Sequence, residues 1–177
     1  MKKSDEKRKL ESYSREELEE LLLELTSQNA FNKEWLQVKT GNGIPSKQAI
    51  HEYKKRIKKA FNDGDRSNLR EARASVLEFK KLTNDPAQIT ELMLYYVETG
   101  EEISNKYGDM YEQFYCSIES IFDEAIKTLN KAQSPELTTL FLPRLRKIAR
   151  EGAEGWGHKE TLEEIYDELD VNAGKNA

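Results

Sequence analysis

From Phe114 to Leu129 the apolar residues Phe114, Ile118, Ile121, Phe122, Ala125 and Leu129 fall three and four apart. That spacing lines one stripe of an α-helix, and no stretch of useful length alternates in the way a half-buried strand does. The same period recurs along the chain. Leu18, Leu21, Leu22 and Leu25 form one stripe, Ile50, Tyr53, Ile57, Ala60 and Phe61 another, and Leu69, Ala72, Val76 and Phe79 a third. Ile89, Leu92, Met93, Tyr96 and Val97 continue the pattern, and Leu162, Ile165, Tyr166 and Leu169 end it. The fold class implied is all-α, either an irregular multi-helix bundle or a short HEAT-like stack of helical hairpins; no fixed repeat period separates the two.

Helix starts are marked by residues that satisfy free backbone N–H groups. Ser14-Arg-Glu-Glu17 is a capping box, Ser46 and Ser67 are N-caps, and Asp85-Pro86 and Ser134-Pro135 pair a cap with a proline preset for the first turn. A short helix is expected from about 29 to 39, carrying Phe31, Trp35, Leu36 and Val38. Asp63-Gly-Asp65 and Tyr107-Gly-Asp109 read as stops, Pro143 as a kink or split, and Gly152 to Gly157 as a break before the last helix. If the helix beginning at Pro86 runs through Gly100, the missing side chain there permits close approach of a neighbour.

The domain plan that follows is a flexible N-terminal arm at 1–12, a single all-helical domain at 13–171 and a disordered tail at 172–177. The Thr40-Gly-Asn-Gly-Ile-Pro45 breaker can set apart a small hairpin at 13–40, ahead of a 41–45 loop. With 37% hydrophobic and 34% charged residues among 177, thin helical layers with much of each helix in water are favoured over a thick sheet. No apolar run approaches the roughly 20 residues of a membrane span, and the charged start lacks a signal-like apolar stretch, so a cytosolic protein is expected. One cysteine, Cys116, rules out an intrachain disulfide and reads as a buried structural thiol.

Few residue types are available for catalysis. The two histidines, His51 and His158, fit neither HExxH nor the Glu-x-x-His of di-iron bundles, and no Gly-x-Ser-x-Gly elbow exists. Gly41-Asn-Gly-Ile-Pro-Ser-Lys47 matches no phosphate-binding pattern. No catalytic residue, metal or cofactor is therefore assigned. His51 reads as solvent-exposed. In Gly155-Trp-Gly-His158 the plain expectation is that Trp156 plugs the core and His158 sits at or near an N-cap; the alternative turns His158 toward the acids of 92–109. Glu98 and Glu102 are four apart on one helix, where like charges need a compensating cation, and Glu112, Glu119 and Asp123 offer further oxygens from the next helix.

Charge is segregated. From Lys47 to Lys59 the basic residues Lys47, Lys54, Lys55, Arg56, Lys58 and Lys59 oppose Glu52 alone, and from Glu91 to Glu124 only Lys106 opposes a run of acids. Arg66, Arg70, Arg73, Lys80 and Lys81 extend the basic side, but the net charge of −5 and the lack of a recognition-helix or RNA-module signature disfavour nucleic acid.

Glu78-Phe-Lys-Lys-Leu82, Leu92-Met-Leu-Tyr-Tyr-Val-Glu-Thr-Gly100, Tyr107-Gly-Asp109, Phe114-Tyr115 with Ser117-Ile-Glu-Ser120, and Gly155-Trp-Gly157 together resemble a family of small uncharacterised bacterial proteins known only as a domain of unknown function. The resemblance covers most of the chain after about residue 10 and implies a bacterial, cytosolic, helical protein with no activity to carry over. It directs attention to Tyr95, Tyr96, Glu98, Gly100, Tyr107, Asp109, Tyr115, Trp156 and His158.

The expectation is a non-enzymatic helical module that binds another protein. Its groove lies near 95–119 and 155–158, with Tyr95, Tyr96, Glu98, Glu102, Tyr107, Asp109, Tyr115, Trp156 and His158 as binding residues. Nucleic-acid binding through the basic helix 46–62 is one alternative, and a metal-assisted or acid/base enzyme using Glu98, Glu102 and His158 is the other.

Overall fold

The computed structural model describes residues 3–62 and 68–170. Among them are α1 (Lys3–Leu10), α2 (Arg15–Gln28), α3 (Ala30–Thr40), α4 (Lys47–Phe61), α5 (Leu69–Leu82), α6 (Pro86–Tyr107), α7 (Glu112–Ala132), α8 (Pro135–Glu151) and α9 (His158–Asp167), with no strand. Two compact units divide at the Gly43–Ile44 junction, inside the expected 41–45 loop.

The first unit holds α1, α2 and α3. The Ser14 and Glu17 side chains cap each other's backbone N–H groups as the sequence implies, at 3.2 and 2.7 Å. Asn29 ends α2 and caps α3 by accepting from the Asn32 N–H, so α2 and α3 form a hairpin with almost no loop. The expected arm is helical from Lys3 to Leu10, with Asp5 and Glu6 in its first turn and Lys7, Arg8 and Lys9 in its last, the order that suits the helix dipole. It buries no residue.

The second unit is built around α6 and α7. α6 packs on α4, α5, α7 and α8, while α9 packs on α7 and α8. A helix with four partners is a hub of an irregular bundle, since in a stack each hairpin meets only its neighbours. Phe114, Ile118, Ile121, Phe122, Ala125 and Leu129 are all buried, as their spacing demands. Ser46, Asp85 and Ser134 cap α4, α6 and α8. The stop at 63–65 and the Ser67 cap lie outside the described residues; Asn68 caps α5 by accepting from the Glu71 N–H. Helix α8 continues through Pro143, so no split occurs there. Cys116 is exposed, not buried: two positions beyond Phe114 it turns to the opposite side of α7 from the apolar stripe.

Helix α6 does run unbroken through Gly100. A Cβ built there would lie 2.5 Å from Ile118 Cδ1 and 2.8 Å from its Cγ1, so the glycine is what allows α6 and α7 to approach at this level. Gly100→Val is expected to destabilise by about 1–3 kcal/mol through overpacking, outweighing its gain in helix propensity, whereas Gly108→Ala touches nothing through its Cβ and costs only backbone strain. Urea unfolding of the two variants checks this; a neutral Gly100→Val would show that the helices are not in contact there.

Candidate functional site

The contact between Gly100 and Ile118 sets the next residue of each helix side by side, and those residues are Glu101 on α6 and Glu119 on α7. Between them lies His158, the first residue of α9 and fully buried. Its Nε2 is 2.7 Å from Glu101 Oε1 and its Nδ1 is 2.7 Å from Glu119 Oε1. A neutral imidazole carries one N–H, so two carboxylate partners call for the imidazolium, which donates to both. Burial by itself would push the ring's pKa down; the hydrogen bonds to Glu101 and Glu119, with the charge of both carboxylates, more than offset it and hold it above the usual 6.5.

A hydrogen-bonded shell surrounds the triad. Glu101 Oε2 accepts the Ala153 N–H at 2.8 Å, tying the loop after α8 to α6. The Tyr115 ring lies 4.6 Å from the imidazole. The Tyr115 hydroxyl donates to Asp109 Oδ1 at 3.1 Å, accepts the Met110 N–H at 3.2 Å and pairs with the Ser104 hydroxyl at 2.9 Å. Gly155 presses on this group so closely that a Cβ would come within 2.4 Å of Asp109 Oδ1.

The loop reverses through Gly155, Trp156 and Gly157 at φ of +145°, +51° and +71°. Glycine adopts such angles freely, but tryptophan does so at a cost on the order of 1 kcal/mol. This reversal corrects the sequence expectation. His158 is the plug, and Trp156 stands outside, 66% exposed, its indole N–H donating to the Met110 carbonyl at 3.0 Å. His158 does stand near the N-cap of α9 as expected, directly after Gly157, which is the cap.

The other expected site residues fall in different places. Tyr96 is a core residue whose hydroxyl pairs with Ser117 at 2.7 Å, and Tyr95 is half-buried with Lys54 Nζ 5.1 Å above its ring. Tyr107 and Tyr111, which flank the Gly108–Met110 turn, are exposed. Glu98 does not reach the histidine but holds Arg144 in a two-pronged pair at 2.7 Å on both oxygens. Arg144 also bonds Glu91, which accepts from Lys54 at 2.5 Å, so α8, α6 and α4 are laced together. Glu102 is exposed and lines a cleft of about 240 Å³ with Glu98, Glu101, Asn105, Lys147 and Glu151. Among the described residues no group of three His, Cys, Asp or Glu side chains is placed to hold a metal ion. Glu101 was the residue missed: it is the acid next to Gly100, and the close approach that Gly100 allows is the one sequence signal that could have marked it.

Of the six basic residues on α4, Lys54 and Arg56 are paired within the fold, while Lys47, Lys55, Lys58 and Lys59 are exposed. Arg56 pairs with Glu78 at 3.1 Å and Lys80 with Glu124 at 3.3 Å, while Lys54 is bound to Glu91. His51 is exposed. No helix among the described residues is long and apolar enough to cross a membrane.

Residues 1–170 match the model of the Family of unknown function (DUF6155). The chain belongs to that family. No curated protein and no solved structure matches it. In this DUF6155 chain three of the segments that carried the sequence resemblance meet around His158: Asp109, Tyr115 with Glu119, and the Gly155–Trp156–Gly157 turn.

Proposed function

We propose that the DUF6155 fold is a non-enzymatic protein-interaction module that takes a basic segment of a partner protein on the surface carrying Trp156. The observation that carries this reading is the outward tryptophan. The turn accepts a left-handed backbone at Trp156 and the indole N–H donates to the Met110 carbonyl, so a large aromatic is presented to solvent. Beside it, Glu154, Glu160 and Glu163, with Lys159, line an open cleft of about 430 Å³ formed by the loop and the start of α9. Glu98, Glu101, Glu102 and Glu151 dominate the cleft on α6 and α8. An aromatic face with carboxylates nearby suits lysine or arginine, through cation–π contact and charge-assisted hydrogen bonds. Catalysis at His158 is disfavoured because both ring nitrogens are occupied and the ring is fully buried. A bacterial, cytosolic setting is part of the same proposal.

The test is fluorescence anisotropy with labelled lysine- and arginine-rich peptides and their acidic counterparts. Micromolar binding of the basic set, weakening as salt rises, is expected. Trp156→Ala should weaken it about 30-fold, as loss of a central aromatic anchor does. Equal binding of acidic peptides, or an unaltered affinity in Trp156→Ala, would sink the reading.

A further inference from the structure

We infer that the unit formed by α1, α2 and α3 is a dimerisation element, in which the leucine face of one hairpin closes on the same face of a second copy of this chain. The inference starts from an imbalance inside the hairpin. Helices of 14 and 11 residues are marginal in water and depend on burying an apolar face. Yet α2 buries none of its residues, and Leu21, Leu22, Leu23 and Leu25 are between 37% and 66% exposed. Leu18, Leu21, Leu22 and Leu25 follow the i, i+3, i+4, i+7 seam of a helix that packs lengthwise on another. Leu22 and Leu25 meet Trp35 and Leu36 of α3 across a cleft of about 160 Å³, so the apolar surface spans both helices.

Size and charge both favour a second copy as the occupant. Leu10, Tyr13 and Trp35 are exposed in the same unit, so it offers apolar side chains toward the roughly 800 Å² that each partner contributes to a specific interface. Two helical hairpins joined about a two-fold axis make a closed four-helix arrangement that leaves no apolar edge. A two-fold interface must be complementary to itself, and the charges of this unit allow that. α2 carries Glu16, Glu17, Glu19, Glu20 and Glu24 against Arg15, whereas the last turn of α1 carries Lys7, Arg8 and Lys9. Across the axis the basic turn of one copy can meet the acidic flank of the other.

Light scattering on the full chain should give a mass twice the 20.5 kDa of one chain, shifting to one chain on dilution. Hydrogen exchange on the same unaltered protein should show amides of 15–28 losing protection with that dilution while those of 114–129 keep theirs. Leu22→Glu with Leu25→Glu should give a monomer at all concentrations, and Lys7→Glu with Arg8→Glu a dimer weakened about tenfold or more. A single-chain mass from nanomolar to submillimolar concentration overturns the proposal, whether the face then takes a different protein or stays open. A dimer that survives Leu22→Glu with Leu25→Glu overturns it equally, because the seam then lies elsewhere.

Discussion

His158→Ala is expected to destabilise the protein by about 3–5 kcal/mol, the range seen when one partner of a buried ionic group is removed. The cause is the pair left behind. Glu101 and Glu119 are 11% and 18% exposed in their side chains, and without the imidazolium two carboxylates would share a site with no cation between them. Glu101 would keep the Ala153 N–H, so part of its pairing survives. Replacing all three by leucine removes the charges together and should recover most of the loss, since a buried ionic cluster contributes little over well-packed apolar side chains. Urea unfolding of the single and triple variants measures both. A loss below about 0.5 kcal/mol in His158→Ala would mean that the ring does not hold the two acids together.

The same site makes stability depend on pH with a definite sign. The folded-state pKa of His158 is raised, so its contribution is fully present below the ordinary value of 6.5 and is lost as pH rises through the folded value. Melting temperature should therefore fall as pH is raised from about 6 to 9, and the fall should be absent in His158→Gln. A profile unchanged by that substitution would locate the titrating group elsewhere.

Ile121→Ala is the second large effect, a loss of about 2–5 kcal/mol from lost transfer energy plus the cavity that rigid neighbours leave unfilled. Ile121 is fully buried on α7, which packs on both α6 and α9, so little of that cavity can collapse. Thermal and urea unfolding should agree on the value. A cost under about 0.5 kcal/mol would place Ile121 at a surface and contradict the packing of α7.

Much of this molecule is a matter of local chemistry, and there the sequence was sufficient. The 3.6-residue period decides helix over strand wherever it persists, which is why the buried faces of α6 and α7 could be named beforehand. Ser14, Ser46, Asp85 and Ser134 reach backbone N–H groups two or three residues away, so those starts needed no tertiary information. Gly100 was legible as a point of close approach for the same reason: inside a helix a glycine costs stability unless a neighbour uses the space.

The site was legible only in outline. Sequence pointed to His158, to the acids of α6 and to Glu119 among three acids of α7, but on α6 chose Glu98 and Glu102, which share a face by spacing alone. The acids that reach the ring are Glu101 and Glu119, and what selects them is the level at which α6 and α7 touch, a quantity carried by no single helix. The exchange of roles between Trp156 and His158 has a similar origin. Hydrophobicity puts tryptophan inside and histidine outside, and only two carboxylates converging from separate helices make a buried imidazolium affordable. Sequence by itself thus determined helices α2 to α9, most of their caps and the faces that α4 to α7 bury. Tertiary structure decided which charges meet, because pairing energies depend on distances between elements that the local periodicity does not encode.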